Sequence, residues 1–224
     1  MTQAPDRPTG GGPPFVVLHV CMGNICRSPM AERLLAHAVQ RRVGAAADMY
    51  VHSESAGTGG WHVGERMNPP AARELDRRGI ECDGFRARKL TGAHLDTADL
   101  VLTATADQLR YVGGLRPDAL PRTFVLGEFG RLLRKVDGQA LPVAGVAVGG
   151  EGREGGADAV HARGVALVAA VDAARGGDEP RPGDDLDDPW GREAGYFTLT
   201  ADEIATSVDA FVDLLLPDAP GHRG

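Results

Sequence analysis

Apolar positions along the chain fall into alternating rhythms. Residues 15–20 form a short apolar run rich in β-branched side chains, bounded upstream by glycine and proline, which predicts a buried strand. Met30, Leu34, Leu35, Ala38 and Val39 then recur at helical spacing, and Gly44 ends that helix. Residues 49–52 predict a second strand, leading into a loop over 53–67. Asn68, Pro69 and Pro70 open a helix over 71–78 that Gly79 closes. The third strand is expected at 100–103 with a helix from 105 to 112, and the fourth strand at 121–126. Residues 127–136 read as helical, with Phe129, Leu132 and Leu133 on one side. Helical character returns over 159–175 and closes the chain over 199–216, where Thr200 is the expected N-cap before Ile204, Val208, Phe211, Val212 and Leu215.

Strands that alternate with helices predict an α/β fold: three layers, with a four-stranded parallel twisted sheet and helices on both faces. Ligands on such sheets bind beyond the C-terminal ends of the strands. Residues 137–157 are rich in Gly, Ala and Val without either periodicity, which predicts a flexible insertion. The expected organisation is a disordered tail over 1–13, one domain over 14–217 carrying that insertion, and a C-terminal tail over 218–224. Residues 176–183 form a polar, Pro- and Gly-rich linker.

The stretch that organises the rest is VVLHVCMGNICRSPMAE, residues 16–32. A loop joining a buried strand to a helix N-terminus aims several backbone N–H groups at one point. Those donors and the helix dipole favour a bound oxyanion such as phosphate. Cys21 at the head of that loop has its thiolate stabilised by the same field, to which Arg27 adds. Arg27 can also chelate two phosphate oxygens through its planar fork. Cys and Arg six positions apart say little alone; strand, loop and helix in this order, with Gly23, Asn24, Ser28 and Pro29, say much more. The bland alternative is a strand-end cysteine that only packs.

The run Cys21-Met22-Gly23-Asn24-Ile25-Cys26-Arg27-Ser28-Pro29 resembles the signature of the low-molecular-weight protein tyrosine phosphatases. The resemblance continues through Met30-Ala31-Glu32 and Ser55-Ala56-Gly57-Thr58 and resumes at Asp188-Pro189. It implies a phosphotyrosine phosphatase I-like fold and hydrolysis of phosphotyrosine and aryl phosphates through a cysteinyl-phosphate intermediate. Cys21 would be the nucleophile and Arg27 the phosphate binder, with the backbone of Met22, Gly23, Asn24, Ile25 and Cys26 cradling the phosphate. Ser28 would donate its hydroxyl to the thiolate, or simply cap the following helix, and Asn24 would pin the loop in an unusual backbone path. Taken alone, the run Asp184, Asp185, Asp187 and Asp188 reads more readily as a solvated linker. The resemblance makes Asp188, directly before Pro189, the general acid, with neighbouring carboxylates helping to keep it protonated and Asp187 as its rival. Trp61 either packs under its loop or lines the pocket mouth; the resemblance favours a substrate contact, and Trp190 would stack on a flat leaving group. It also implies a reversible Cys21–Cys26 disulfide, with a merely packed Cys26 as the alternative. Residues 86–91 are a basic strip that in this family leads into the third strand.

Composition narrows the rest. At 224 residues and 42% apolar content, with no apolar run of bilayer-spanning length, a single soluble domain is expected. Residues 1–14 lack the basic start and apolar core of a signal peptide. Three cysteines make no disulfide framework, and a working thiolate needs a reducing compartment, so a cytoplasmic location is expected. A net charge of −7 argues against nucleic-acid or anionic-membrane partners. The resemblance implies a phosphotyrosine-containing protein as partner; no cofactor is called for, no His, Asp or Cys spacing suggests a metal, and nothing speaks to oligomeric state. Three rival functions share the scaffold. A thiol-dependent arsenate reductase needs two further cysteines, and only Cys82 remains. Protein-arginine phosphatases carry Thr at the position of Ile25. A non-catalytic phosphate-binding module would need neither Cys21 nor Asp188.

Overall fold

The computed structural model describes residues 12–144 and 156–217. The tails and residues 145–155 of the expected insertion lie outside the described residues. In chain order the elements are β1 (Phe15–Cys21), α1 (Arg27–Val43), α2 (Ala47–Tyr50), β2 (Val51–Gly57), α3 (Pro69–Arg77) and α4 (Gly92–Thr97). They continue with β3 (Leu100–Thr103), α5 (Ala106–Leu115), β4 (Thr123–Val125), α6 (Leu126–Leu133), α7 (Gly156–Arg175) and α8 (Ala194–Leu215). The four strands pair in parallel in the order β2-β1-β3-β4, as expected for a sheet built from crossovers. β1 is central: Phe15 pairs with Val51, Cys21 with Gly57, and Val20 with Thr103.

Alternation along β1 divides the core. Phe15, Val17 and Cys21 join one cluster with Met30 and Leu35 of α1, Phe129 of α6, and Phe211 and Leu215 of α8. Leu18 and Val20 point the other way, toward Leu95 of α4, Val112 of α5 and Ala119. Helices therefore cover both faces, giving three layers. β1, β3 and β4 are nearly continuous buried runs, as doubly covered parallel strands require, whereas the edge strand β2 is buried mainly over its last three residues.

Three elements are shifted markedly from the sequence expectation and one helix went unread, each for a local reason. The second strand runs Val51–Gly57, while Met49 and buried Tyr50 belong to the single turn of α2. Its polar residues hide the strand: Ser53 Oγ donates to the Glu32 carbonyl and Ser55 Oγ to the Glu32 carboxylate, so hydroxyls stand where apolar side chains would have shown the pattern. α4 went unread because it is six residues long and buries only Leu95. Pro121 lies in a 3-10 segment, Pro117–Arg122, which leaves only Thr123–Val125 as strand. α8 starts at Ala194, so Thr200 is an interior residue whose hydroxyl donates to the Tyr196 carbonyl and not an N-cap.

α7 lies at the N-terminal end of β1, away from the Cys21 end. Gly164 abuts the Phe15 ring so closely that a Cβ would stand 2.4 Å from it. Arg163 reaches across to the carbonyls of Leu214, Gly138 and Leu141, tying the beginning of the 137–157 segment to the end of α8.

His19 is the anomaly of the core. It is 1% exposed, neither ring nitrogen has a hydrogen-bond partner among the described residues, and it flanks a cavity of about 10 Å³ shared with Arg27, Ser28 and Leu186. Burial pushes its pKa from 6.5 down to about 3. The unfolded chain therefore binds a proton near pH 6.5 that the folded chain refuses until about pH 3, and stability falls as pH drops through that window. At pH 5 the difference of 1.5 units corresponds to about 2 kcal/mol. Between pH 8 and pH 5, urea unfolding should show the wild type losing about that much more stability than His19→Phe. Equal losses would mean that His19 is not held neutral.

Candidate active site

The loop after β1 is shaped by one residue. Asn24 adopts φ 55°, the only positive φ at a non-glycine among the described residues, in the left-handed region that Asn tolerates better than most. Its side chain is fully buried and bonded on both ends. Oδ1 accepts the Arg88 backbone N–H at 2.7 Å, which identifies the oxygen end, because that group can only donate. Nδ2 therefore donates to Ser28 Oγ at 2.9 Å and to Ser55 Oγ at 2.8 Å.

These assignments fix the remaining protons. Ser55 passes its own hydrogen to Glu32 Oε2 at 2.6 Å. Burial raises the Glu32 pKa and the Ser55 bond opposes that rise. Ser28 Oγ, already accepting from Asn24, lies 3.0 Å from Cys21 Sγ and 3.5 Å from the Ala56 carbonyl, so the sulfur is the nearer acceptor for its hydrogen. The Asn24 backbone N–H also points at Sγ, at 3.3 Å. Ser28 thus sits inside the first turn of α1, facing the sulfur, rather than capping the helix. Gly57 makes the close approach possible: a Cβ there would stand 2.8 Å from the Met22 carbonyl oxygen. The Thr58 and Gly59 N–H groups bond the Cys21 and Met22 carbonyls, fastening the loop to the end of β2.

The far wall comes from the C-terminal part of the chain. Arg27, 4% exposed, donates from Nη1 to the Leu186 carbonyl at 3.2 Å and from Nη2 to Asp188 Oδ2 at 2.6 Å. Asp188 Oδ1 accepts the Trp190 backbone N–H at 3.1 Å. The other aspartates of the run go elsewhere. Asp184 is bidentate with Arg131, which holds its pKa down against the effect of burial. Asp185 accepts the Ala106 N–H at the start of α5. Asp187 stands near Glu203 of α8, whose pKa is raised by burial and then by that neighbour. The aspartates that the sequence presents as one cluster are thus fanned out to separate surroundings.

Together these groups enclose a cavity of about 220 Å³. Cys21, Met22, Gly23, Ile25, Cys26, Arg27 and Asp188 line it, and Trp61 and Trp190 border it. Both indoles are more than 60% exposed, so Trp61 is not packed under its loop. Cys21, Met22, Gly23, Ile25, Cys26, Arg27, Asp188, Trp61 and Trp190, assigned to the site from the sequence, are all at this cavity, with Asn24 and Ser28 directly behind it, whereas the rival acid Asp187 and Cys82 are not. Sequence reading missed four contributors. Ser55, Glu32 and Arg88 complete the Asn24 network, and His62 lines the cavity next to Trp61. Cys26 is buried, and burial, followed by the charges of Cys21 and Asp188, pushes its pKa up to about 12. Among the described residues no cluster of His, Cys, Asp or Glu could hold a metal.

The chain is similar to known proteins in both sequence and fold. The model of the family described as low molecular weight phosphotyrosine protein phosphatase matches residues 16–137. A Streptomyces coelicolor low molecular weight protein-tyrosine-phosphatase is 37% identical over 162 residues, covering 70% of this chain and 93% of the relative. The Bacillus subtilis low molecular weight protein-tyrosine-phosphatase YfkJ is 37% identical over 100 residues, 45% of this chain, and the match spans only 60% of that relative. Among solved structures, the arginine phosphatase YwlE from Geobacillus stearothermophilus superposes with a TM-score of 0.58 at 24% identity, covering 89% of this chain and 92% of the other, which bears on the fold alone.

Removing the Asn24 amide tests whether the loop depends on it. Asn24→Ala forfeits three buried hydrogen bonds and keeps the unfavourable φ, so a loss of about 2–4 kcal/mol is expected in urea unfolding. Asn24→Gly relieves the backbone and should recover about 1 kcal/mol of that. Equal stability for Asn24→Ala and the wild type would show that the loop holds itself.

Proposed function

The chain belongs to the low molecular weight phosphotyrosine protein phosphatase family, and we propose that it is a cysteine-dependent phosphatase hydrolysing phosphotyrosine in protein substrates. The observation that carries this reading is the convergence of Cys21, Arg27 and Asp188 on one cavity, with Arg27 bonded to Asp188 at 2.6 Å.

In this reading the phosphate settles in the loop, ringed by the N–H groups of residues 22–27 and by the Arg27 guanidinium. The Cys21 thiolate attacks phosphorus and the ester P–O bond breaks. Asp188 gives its proton to the departing phenolate oxygen, leaving a phosphocysteine and a neutral tyrosine. A water then loses a proton to Asp188 as its oxygen attacks phosphorus, the P–S bond breaks, and phosphate leaves with the thiolate restored. Ser28 and the Asn24 N–H stabilise that thiolate at both ends of the cycle. Trp61 and Trp190 would flank the aromatic ring of the substrate.

Asp188 is favoured over Asp187 as the acid because it lines the cavity against Arg27, whereas Asp187 stands beside Glu203. Phosphotyrosine is favoured over phosphoarginine by the apolar Ile25 and the indoles around the cavity, which suit an aryl group better than a guanidinium. Arsenate reduction is disfavoured by Cys82, which neighbours the Ala72 and Ile80 carbonyls and not the cavity. A reducing, cytoplasmic setting fits the three free cysteines.

Turnover of p-nitrophenyl phosphate and phosphotyrosine peptides tests the reading. Cys21→Ser should abolish hydrolysis while still binding phosphate. Asp188→Asn should lower kcat roughly 10²–10⁴-fold, with a loss that steepens as the leaving group becomes more basic. Because it also frees Arg27 from its carboxylate, Asp188→Asn should bind inorganic phosphate more tightly than the wild type. A flat leaving-group profile would remove Asp188 from the role of acid.

A protective Cys21–Cys26 disulfide is part of the same proposal. Cys26 remains a protonated thiol, so oxidation starts at Cys21, whose sulfenic acid Cys26 would attack, releasing water. After a peroxide pulse, dithiothreitol should restore wild-type activity more fully than that of Cys26→Ala. Equal recovery would leave Cys26 as packing only.

A further inference from the structure

The turn between Gly60 and Gly64 delivers a second basic group to the cavity. The Glu65 N–H bonds the His62 carbonyl at 2.9 Å, and the turn is pinned to the following segment by Gly64 N–H to the Ala87 carbonyl and Ala87 N–H to the Glu65 carbonyl. That backbone sets the two side chains together, with His62 Nδ1 2.7 Å from Glu65 Oε2. A carboxylate at Nδ1 keeps the proton on that nitrogen and turns Nε2 the other way. The Nε2 edge rests on Gly23, where a Cβ would stand 3.1 Å from Cδ2 and 3.8 Å from Nε2. Glycine in the phosphate loop is thus what admits the imidazole, and among the described residues nothing bonds Nε2. The Trp61 ring meets the imidazole edge-on at 6.2 Å.

Of the residues lining the cavity only Arg27 and His62 are basic, and Asp188 already occupies one face of Arg27. A phosphate monoester arrives largely as a dianion near neutral pH. We propose that His62, clamped by Glu65, is a specificity-determining residue that binds an anionic oxygen of the substrate through Nε2–H. That oxygen belongs either to the phosphate or to a carboxylate flanking the phosphotyrosine. In the doubly protonated ring both nitrogens donate, Nδ1 to Glu65 and Nε2 to the substrate. This proposal rests on the phosphatase reading and adds to it the group that selects among substrates.

Steady-state kinetics of the wild type, His62→Ala, His62→Gln and Glu65→Gln decide it. The substrates are p-nitrophenyl phosphate and two phosphotyrosine peptides, one with acidic and one with neutral flanks. His62→Ala should raise KM about 10-fold with kcat within about twofold, the expected cost of one charge-assisted hydrogen bond. His62→Gln keeps a donor and should recover part of the loss, and Glu65→Gln should fall between. A rise on all three substrates places the contact on the phosphate; a rise confined to the acidic peptide places it on the flanking carboxylate. Unchanged KM throughout, or a fall in kcat at constant KM, overturns the proposal. If the wild type hydrolyses none of the substrates, the phosphatase reading fails instead. Inorganic phosphate and the acidic peptide titrated into wild type and His62→Ala then still decide the role of His62, equal affinities overturning it.

Discussion

The chain between β1 and α1 must reverse within a few residues, and here a single left-handed residue makes the reversal. Everything behind the cavity follows from how that turn is held. The Asn24 amide cannot adopt φ 55° at no cost, and its three hydrogen bonds offset the strain by tying four pieces of chain together. It bonds α1 through Ser28, β2 through Ser55 and the segment after α3 through the Arg88 backbone. None of these partners is interchangeable with water, because Asn24, Ser28 and Ser55 are all buried. The direction of the three amide bonds is also forced, beginning from an N–H that can only donate. A structural amide therefore makes both serine hydroxyls acceptors, which leaves the Ser28 hydrogen to the Cys21 sulfur or the more distant Ala56 carbonyl.

The second constraint joins the ends of the fold. Arg27 lies at the start of α1, yet its guanidinium is oriented by the Leu186 carbonyl and the Asp188 carboxylate, about 160 residues downstream. The matched family model ends at residue 137, so this partner enters only after α7 has been inserted. α7 solves the topological problem that an insertion poses. It lies against the N-terminal end of β1 and, through Arg163, ties the segment after α6 to the end of α8, away from the Cys21 end of the sheet. Asp184 and Asp185 then anchor the returning chain to α6 and α5, so that Asp188 arrives in position. The acidic run is a set of fastenings with one carboxylate left over for the cavity.

What could be read from the sequence divides along the same lines. The strand-loop-helix around Cys21 was legible because local pattern and chemistry coincide there, and the sheet followed from alternation of elements. β2 was misplaced because its serines serve the Asn24 network and break the apolar pattern. The start of α8 was missed because Ala194 to Leu199 show no periodic stripe before the buried face begins in earnest. His62 carried no sequence signal beyond standing next to Trp61, since its role depends on a bare Gly23 across the turn. The fanning of the aspartates was illegible for a different reason. Identical side chains in one run were separated by partners distant in sequence, Arg131 for Asp184, Ala106 for Asp185 and Arg27 for Asp188, and no local rule foretells that.

Burial then sorts the titratable groups crowded behind the loop. Cys26 shares the loop with Cys21, and desolvation pushes it up to about 12, so it stays a neutral thiol. His19 lies beneath Arg27, and the same effect drives it down to about 3, so it stays a neutral imidazole. A charged Cys26 would compete with Cys21 for the hydrogen-bond donors of the loop, and a charged His19 would repel the Arg27 guanidinium from below. Both are silenced by the low dielectric that makes the surviving charges strong. The deep wall of the cavity is left with one sulfur, one guanidinium and one carboxylate able to act, and the apolar core enforces that economy as much as the polar residues do.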